Sequence, residues 1–246
     1  MKLNPDYSVP LYIQLKEHLQ TQIESGVYAA GTRLPSERQL AEDFNLSRMT
    51  ARQAMQLLSQ DGLTQSRVGK GTYVRHRRID QELRILTGFT EDMQRQGLRS
   101  SSRILIANVA QANKEAASWL GLEPGAEVVI LNRVRFADNE PLAIENATIN
   151  HQLCPNILNG HDFGQDSLYH VLREEYGCQL VWADQTIQAR LPSKSERRLL
   201  QIGQYDPVLS MLRVTFIAQD QPIEFVNSVY RGSHYRFRAV LRQSNP

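Results

Sequence analysis

Two pairs of arginines in this 246-residue chain have spacings that place both members of a pair side by side. Arg48 and Arg52 are four residues apart, so they share a face if their segment is helical. Arg133 and Arg135 are two residues apart, so they share a face if their segment is a strand. Guanidinium groups bind phosphate, carboxylate or the O6 and N7 atoms of guanine. Both pairs are therefore candidates for anion binding, and neighbouring elements must position each of them.

The segment around the first pair predicts two short helices joined by a tight turn. Ser36 is a good N-cap and Gln39 follows three residues later, which is the pattern of a capping box. Ser47 caps a second helix, which Gly62 can end. The apolar face of this second helix is predicted to contain Ala51, Ala54, Leu57 and Leu58. The arginine pair lies on another face, at the end of the helix with which a helix-turn-helix touches bases. A solvated basic face is the alternative.

A predicted hairpin follows the second helix. Thr64–Val68 and Thr72–Arg75 are strands around a Gly-Lys-Gly tip at 69–71, where glycine tolerates positive φ. Lys70 and bare backbone at this tip can reach a DNA groove. Residues 47–78 contain seven lysines and arginines and one acid, whereas the whole chain has a net charge of +2. The positive charge is therefore concentrated where a DNA-binding surface needs it.

Residues 10–75 resemble the winged helix-turn-helix of GntR-type bacterial transcription regulators. The resemblance is carried by blocks that include Pro10-Leu11-Tyr12, Leu34-Pro35-Ser36-Glu37-Arg38, Ser47-Arg48 and Gly69-Lys70-Gly71-Thr72. It implies DNA contacts at Arg38, Arg48 and Arg52, supported by Ser36, Ser47, Thr50, Lys70 and Gly71. The helical wheel places Thr50 towards the core side. One winged helix covers only half an operator, so we expect a homodimer on near-palindromic double-stranded DNA.

Composition limits the remaining classes of function. Hydrophobic residues make up 41% of the chain, but no run of about eighteen apolar residues predicts a membrane span. The first residues lack the apolar segment of a signal peptide, and Cys154 and Cys178 do not make a disulfide framework. We interpret both as reduced thiols in a cytoplasmic protein. The six histidines show no pair at metal-ligand spacing, so no metal site is expected.

From Phe89 onwards the pattern changes to mixed helix and strand. Thr90 is the predicted N-cap of a helix, and further helices are predicted after Asn113, from Ser167 to Tyr176 and after Ser193. The strands come largely in hairpins, which predicts a mainly antiparallel sheet covered by helices. Predicted strands are Ile104–Val109, Val128–Phe136, Leu142–Ile149, Gln179–Ala189, Val208–Ala218, Ile223–Tyr230 and Tyr235–Leu241.

Residues 88–242 resemble the UTRA effector-binding domain of the HutC-type branch of GntR regulators, which shares its fold with chorismate lyase. The resembling segments include Arg133-Val134-Arg135, Ser167-Leu168-Tyr169 and Tyr230-Arg231-Gly232. The implied fold class is α+β, with an N-terminal winged helix-turn-helix and a C-terminal chorismate-lyase-like domain. The predicted boundaries are 1–75 for the DNA-binding domain, 76–88 for a linker and 89–246 for the effector-binding and dimerisation domain.

Several residues of this second domain are candidates for ligand binding. Two arginines side by side on a strand repel each other unless an anion lies between them or Glu145 on the neighbouring strand pairs with them. These two interpretations are compatible. Helix starts at Phe89-Thr90 and Ser167 can bind phosphate or can be plain caps. Tyr169, Glu224 and Tyr230 carry groups for sugar hydroxyls, although each residue taken singly is more typical of ordinary surface or core.

The leading interpretation is a repressor that a small anionic metabolite releases from its operator. The resemblance to HutC-type regulators of N-acetylglucosamine use favours a phosphorylated amino sugar, and a carboxylate such as urocanate is the alternative. An enzyme with a chorismate-lyase-like fold is a further alternative, but no nucleophile with a nearby base is visible. A purely structural dimer domain is another. We predict no catalytic residue and no cofactor.

Overall fold

The computed structural model describes residues 3–67, 69–75 and 78–241, and the chain divides into two compact units between residues 77 and 78. Val68 of the predicted hairpin and His76 and Arg77 of the predicted linker lie outside the described residues. The chain ends at 1–2 and 242–246 do so as well. Within the described ranges, no helix combines the length and apolarity that crossing a bilayer requires.

The first unit contains three helices and a hairpin: α1 Leu11–Glu24, α2 Glu37–Asp43, α3 Arg48–Gln60, β1 Thr64–Arg67 and β2 Gly71–Val74. The predicted capping box forms at α2, because the Ser36 hydroxyl accepts from the Gln39 N–H at 3.2 Å and the Gln39 side chain accepts from the Ser36 N–H at 2.9 Å. Ser47 likewise caps α3 by accepting from the Thr50 N–H at 3.0 Å. Both helix starts are therefore fixed by side chains that the sequence makes recognisable.

The core of the first unit lies between α1 and the apolar face of α3, with α2 against the same helix. Ala51, Ala54 and Leu58 are buried as predicted. Met55 is buried as well, whereas Leu57 is only partly buried. The predicted apolar face of α3 was too narrow because it omitted Met55. Both α1 and α2 pack against α3, so the buried face is wider than one helix would require.

The loop before α2 runs beside the hairpin and extends it. The N–H of Leu34 donates to Thr72 O, and the N–H of Val74 donates to Thr32 O, both at 2.9 Å. Arg33 consequently pairs with Tyr73 in an antiparallel bridge. The β1–β2 hairpin, which we call the wing, is thus anchored to the residues that lead into the helix-turn-helix.

The second unit is built on a six-stranded sheet in which all neighbouring strands are antiparallel, as the hairpin pattern predicted. Its strand order is β4, β5, β6, β9, β8, β7. The strands are β4 Ser100–Gln111, β5 Glu127–Ala137, β6 Glu140–Asn150, β7 Trp182–Arg190, β8 Val208–Phe216 and β9 Pro222–Arg231. The helices are α4 Phe89–Arg95, α5 Lys114–Leu120, α6 Leu168–Glu174 and α7 Lys194–Leu200.

Helices cover both faces of this sheet. On one face, α4 and α6 pack over β5, β6 and β9 with Phe89, Met93 and Leu172 among their buried residues. On the other face, α5 packs beside Phe225 and α7 packs through Leu200. The first face contains both the second arginine pair and the helix starts that were predicted to lie near it.

One strand lies inside the segment predicted as a linker. β3, Ile79–Glu82, pairs in parallel with β10, Tyr235–Arg238, so the second unit begins at residue 78. Asp80 and Arg236 join the two strands by a bidentate ion pair at 2.6 and 2.7 Å. Local sequence gives little indication of such a pair, because its two strands are about 150 residues apart and no turn connects them. The last strand is also shorter than predicted, since β10 ends before Leu241.

Candidate functional sites

The first candidate site is the exposed surface at the start of α3. Arg48 is the first residue of the helix, and both Arg48 and Arg52 are exposed on the same side of it. The hydroxyls of Ser47 and Thr50 contact each other at 2.8 Å, which holds the helix start in place. Thr50 is partly buried, in agreement with its position on the helical wheel. Both guanidinium groups are therefore available to phosphate or to base edges.

The wing provides the second part of this surface. Lys70 is exposed at the tip, where its N–H donates to Arg67 O at 2.9 Å and closes the turn. Gly71 has a φ of +103°, and a Cβ built on it would lie 2.6 Å from the Arg33 side-chain Nε. The positive φ favours glycine here, whereas the flexible Arg33 side chain could move away from a Cβ. The tip thus presents the charged Lys70 side chain between two glycines, whose backbone carries no side chain.

A cleft of about 700 Å³, counting its open mouth, joins the wing to the helix starts. Ser36, Arg38, Arg48 and Gly71 line it, as does Arg33, which the sequence analysis did not select. Arg33 was missed because its place beside the wing depends on the backbone bridge to Tyr73. Arg38 lies 3.7 Å from Glu42 with both side chains about two-thirds exposed, so this ion pair is weak. Among the described residues, the cleft concentrates positive charge that can bind the DNA backbone.

The second candidate site is a pocket on the α4–α6 face of the sheet in the second unit. The space inside it is about 450 Å³, counting its open mouth. All nine residues that the sequence analysis proposed for the effector line it. They are Phe89, Thr90, Arg133, Arg135, Glu145, Ser167, Tyr169, Glu224 and Tyr230. Strand register and two helix starts bring together residues that are up to 141 positions apart.

The two arginines share a single carboxylate at the floor of this pocket. Arg133 lies directly opposite Glu145 in the strand pair and donates to its Oε1 through Nη2. Arg135 donates from Nη1 to both oxygens of Glu145, at 3.2 and 3.3 Å. Burial alone would raise the pKa of Glu145, but the two guanidinium groups outweigh it and hold this pKa at about 2. The ion pairs with Glu145 that the sequence analysis named as an alternative are thus present. Two arginines and one carboxylate leave a net charge of +1 at the pocket floor.

Part of each guanidinium group has no protein partner. Arg133 is 1% exposed and Arg135 is 3% exposed, and the Nε atoms of both lack a hydrogen-bond partner among the described residues. Burial, together with the charge of Arg133, lowers the pKa of Arg135 to about 10, although Glu145 opposes this shift. Arg135 also lies 4.6 Å from the centre of the Phe89 ring. Buried arginine donors without partners are suited to an anionic ligand.

The hydroxyl groups of Thr90 and Ser167 line the pocket together with the arginines. Thr90 does not occupy the helix position that was predicted for it. Thr90 is not the N-cap of α4, since Gly88 occupies that position and Thr90 lies within the first turn. The Thr90 hydroxyl instead accepts from Arg135 Nη2 at 3.0 Å. Gly88 fits here because the Tyr169 ring lies 3.3 Å from where a Cβ would be. Ser167 is the N-cap of α6, as predicted, and accepts from the His170 N–H at 3.3 Å.

The opposite wall of the pocket is formed by a buried network around Glu224. The Tyr169 hydroxyl donates to Glu224 Oε2 at 2.9 Å, and the Thr215 hydroxyl donates to the same oxygen at 3.1 Å. Burial raises the pKa of Glu224, and the nearby charge of Glu145 adds to the rise. Burial likewise raises the pKa of Tyr230 to about 12, so this phenol stays protonated near neutral pH. These groups can bind hydroxyl or amino groups of a ligand.

Arg213 and Gln81 also line the pocket, and the sequence analysis missed both. Arg213 donates to the Gln185 side chain at 2.7 Å and to Thr87 O at 3.1 Å. The available clue was a charged residue at an inward position, because Arg213 is the single charged residue of β8 and alternates with Met211 and Thr215 on one face. Gln81 lies on β3, which local sequence did not reveal. The third arginine makes the pocket more positive than predicted.

Other kinds of site are not found in the described ranges. They contain no group of three or more His, Cys, Asp or Glu side chains arranged to hold a metal ion. Cys154 and Cys178 are both free and buried. Burial raises the pKa of the Cys154 thiol to about 12, which makes it unreactive at neutral pH.

Comparison with known proteins shows which families the two units match. Residues 11–74 match the model for bacterial regulatory proteins of the gntR family, and residues 95–236 match the UTRA domain model. The chain is 34% identical to the HTH-type transcriptional repressor NagR of Bacillus subtilis over 96% of this chain and 97% of NagR. It is 27% identical to MngR of Escherichia coli, the mannosyl-D-glycerate transport/metabolism system repressor, over 96% and 98% of the two chains. The crystal structure of PhnF from Mycobacterium smegmatis is similar with a TM-score of 0.72 and 30% identity, over 93% of this chain and 99% of PhnF.

The fold and its two sites define a DNA-binding transcription regulator with a separate ligand pocket. The chain belongs to the GntR family of bacterial regulatory proteins and carries a UTRA domain after its winged helix-turn-helix. It is a transcription regulator rather than an enzyme.

Proposed function

We propose that a homodimer of this repressor binds a near-palindromic operator and that a phosphorylated amino sugar, bound in the pocket, lowers its affinity for DNA. The observation that carries the proposal is the pair of buried arginines, Arg133 and Arg135, whose Nε donors lack partners among the described residues. A phosphate dianion offers several acceptors for these donors, and the excess positive charge of the pocket favours it.

Two hydroxyls complete the proposed phosphate subsite. Thr90 accepts from Arg135 and Ser167 accepts from a backbone N–H, so each hydroxyl retains a hydrogen to donate to an anion. Glu224, Tyr169 and Tyr230 on the opposite wall then bind the hydroxyl and amino groups of the sugar. This arrangement supports a ligand with an anionic end and a polar body over a simple inorganic anion.

The relatives support a ligand with a sugar body over urocanate. MngR is by its name the repressor of a mannosyl-D-glycerate system, and the sequence resembles HutC-type regulators of N-acetylglucosamine use. Binding must favour the form of the dimer that releases DNA, because a ligand shifts an equilibrium only by its different affinity for the two states. The segment that joins the two units, near residues 76–78, is the covalent route for this effect.

Calorimetry with glucosamine-6-phosphate, N-acetylglucosamine-6-phosphate, their unphosphorylated sugars and urocanate tests this proposal. We expect only the phosphorylated sugars to bind strongly. Thr90→Val and Ser167→Ala should each weaken that binding by roughly tenfold or more, since each removes a hydrogen bond to a charged group. Thr186→Val, at an exposed position on β7, is the matched control and should bind normally. Equal affinity for sugar and sugar phosphate would show that the arginines are purely structural.

A further inference from the structure

One large apolar side chain lies on the exposed face of α3. Met49 is the second residue of this helix and is 69% exposed. No other large hydrophobic residue in the described helices is exposed to this degree. The remaining exposed residues of α3 are all polar, namely Arg48, Arg52, Gln53, Gln56, Ser59 and Gln60. Met49 is therefore the exception on a face that otherwise suits water.

Helical geometry places Met49 opposite the core of the first unit. The buried residues of α3 are Ala51, Ala54, Met55 and Leu58. At about 100° per residue, Met49 points about 170° away from the mean direction of these four side chains. Within the described residues of the first unit, Met49 does not belong to the cluster that packs in the core. Packing inside the unit thus gives no reason for an apolar side chain at this position.

The neighbours of Met49 are the two exposed arginines. Arg48 precedes it in the first turn, and Arg52 follows three residues later on an adjacent part of the same surface. The N-terminal residues of the second helix of a helix-turn-helix contact base edges in the major groove. Because Met49 lies in this first turn and points away from the core, its side chain extends from the surface that enters the groove.

The major groove offers one apolar group to such a side chain. This group is the C5-methyl of thymine, whereas the other base atoms exposed there are hydrogen-bond donors or acceptors. A methionine sulfur donates no hydrogen bond and accepts only weakly, so Met49 is a poor reader of those atoms. Its unbranched, flexible chain adapts well to a small apolar partner. Contact with a thymine methyl would remove apolar surface of both groups from water, which is favourable.

We propose that Met49 contacts the C5-methyl group of a thymine in the operator and thereby selects thymine at that position. Arg48 and Arg52 can bind guanine edges or phosphates, but neither guanidinium group distinguishes a base by an apolar contact. Met49 adds this preference at the same helix start. Neither the ligand nor the homodimer proposed above enters into this assignment.

Removing the methyl group from the DNA tests the contact directly. Each thymine of an operator selected from random-sequence DNA is replaced in turn by deoxyuridine, which lacks only the C5-methyl group. We expect the affinity of the wild-type full chain to fall about three- to fivefold at one or more of these positions, as the loss of one buried methyl group predicts. At the same positions, Met49→Ala and Met49→Gln should bind the thymine and deoxyuridine duplexes equally. Met49→Gln keeps the length of the side chain but not its apolar character.

Gln60→Ala is the matched control. Gln60 is exposed on the same side of α3, about 16 Å further along the helix axis, so this variant should remain fully sensitive to deoxyuridine. Circular dichroism checks that all variants are folded. Wild-type affinity that is unchanged by deoxyuridine at every thymine would overturn the assignment. Undiminished sensitivity in both Met49 variants would overturn it as well, because another residue or the shape of the DNA would then read the methyl group. Either result would leave the proposed release of DNA by a ligand standing.

Discussion

The two arginine pairs of this protein occupy opposite environments. Arg48 and Arg52 are exposed on a helix that Ser47 caps, and no described residue forms an ion pair with either. Arg133 and Arg135 are almost fully buried and share Glu145. The exposed pair can be lost at little cost to the fold, because water solvates it until DNA binds. The buried pair contributes to the fold itself, because its removal leaves a buried carboxylate without a counter-charge.

The largest expected effect is on the stability of the second unit. Arg133→Ala/Arg135→Ala should lower its free energy of unfolding by about 3–5 kcal/mol, the typical loss when one side of a buried ion pair is removed. Both tryptophans of the chain, Trp119 and Trp182, lie in this unit, so their fluorescence in a urea titration reports it selectively. Arg48→Ala/Arg52→Ala should leave the same transition within about 0.5 kcal/mol of wild type.

A third variant separates charge from packing. Replacing Arg133, Arg135 and Glu145 together by methionine removes the carboxylate along with its partners, and should recover much of the lost stability. If this triple variant is as unstable as the double alanine variant, the arginines stabilise the unit by their packing and not by compensating Glu145.

Replacing the exposed arginines should instead weaken DNA binding. Arg48→Ala and Arg52→Ala are each expected to weaken binding to the selected operator by about 1–3 kcal/mol and to relax base preference. Fluorescence anisotropy with operator and with scrambled DNA measures both effects. Unchanged operator affinity in both variants would remove α3 from the list of DNA-reading elements.

The contrast also explains which parts of the molecule could be predicted from sequence. Ser36 and Ser47 are local caps, and their bonds lie within four residues, so pattern alone located both helix starts. The strand spacing of Arg133 and Arg135 similarly predicted their shared face. Arg33 was missed because its position depends on a backbone bridge 40 residues away.

Pairing between strands that are distant in sequence also limited what the sequence could predict about the second unit. β3 forms only because β10 returns beside it, and this pairing places Gln81 on the pocket wall. Thr90 lines the pocket but was assigned the wrong position in its helix, since Gly88 can cap without a side chain and left no recognisable pattern. Local patterns therefore located the helix starts and the shared face of the two arginines, whereas Arg33 and Gln81, which distant strands position, were missed.

The pH dependence of stability should differ between the two pocket carboxylates. The pKa of Glu224 is raised by burial, so this group stabilises the fold below its ordinary pKa of 4.5 and loses that contribution as the pH rises through the folded value. Glu224→Gln should thus gain stability relative to wild type between pH 5 and 8, by roughly 1.4 kcal/mol for each unit by which the folded pKa is raised.

Glu145 should behave in the opposite way. Its pKa is held at about 2, so its contribution is present above 4.5 and is lost as the pH falls towards 2. The destabilisation of Glu145→Gln relative to wild type should therefore be constant above pH 5 and shrink below it. Tryptophan-monitored unfolding at several pH values measures the stability of each glutamine variant relative to wild type. The same pH dependence for both variants would contradict the assigned environments.

The smallest expected effect is at the wing tip. Lys70→Ala should reduce the slope of log affinity against log salt by about one and weaken binding to operator and scrambled DNA equally, because one phosphate contact is lost. A salt titration of both duplexes measures this slope. A change in sequence preference, with the slope unaltered, would mean that Lys70 contacts a base edge instead.

Operator release tests the central claim most directly. Wild-type protein is bound to a duplex selected from random-sequence DNA, and its affinity is measured with glucosamine-6-phosphate, with N-acetylglucosamine-6-phosphate and with the unphosphorylated sugars. We predict a loss of roughly 5- to 150-fold in affinity, the usual range of allosteric coupling, with at least one of the two phosphorylated sugars and no loss with the others. Unchanged affinity with both phosphates, or equal loss with the free sugars, would contradict a repressor controlled through its buried arginines.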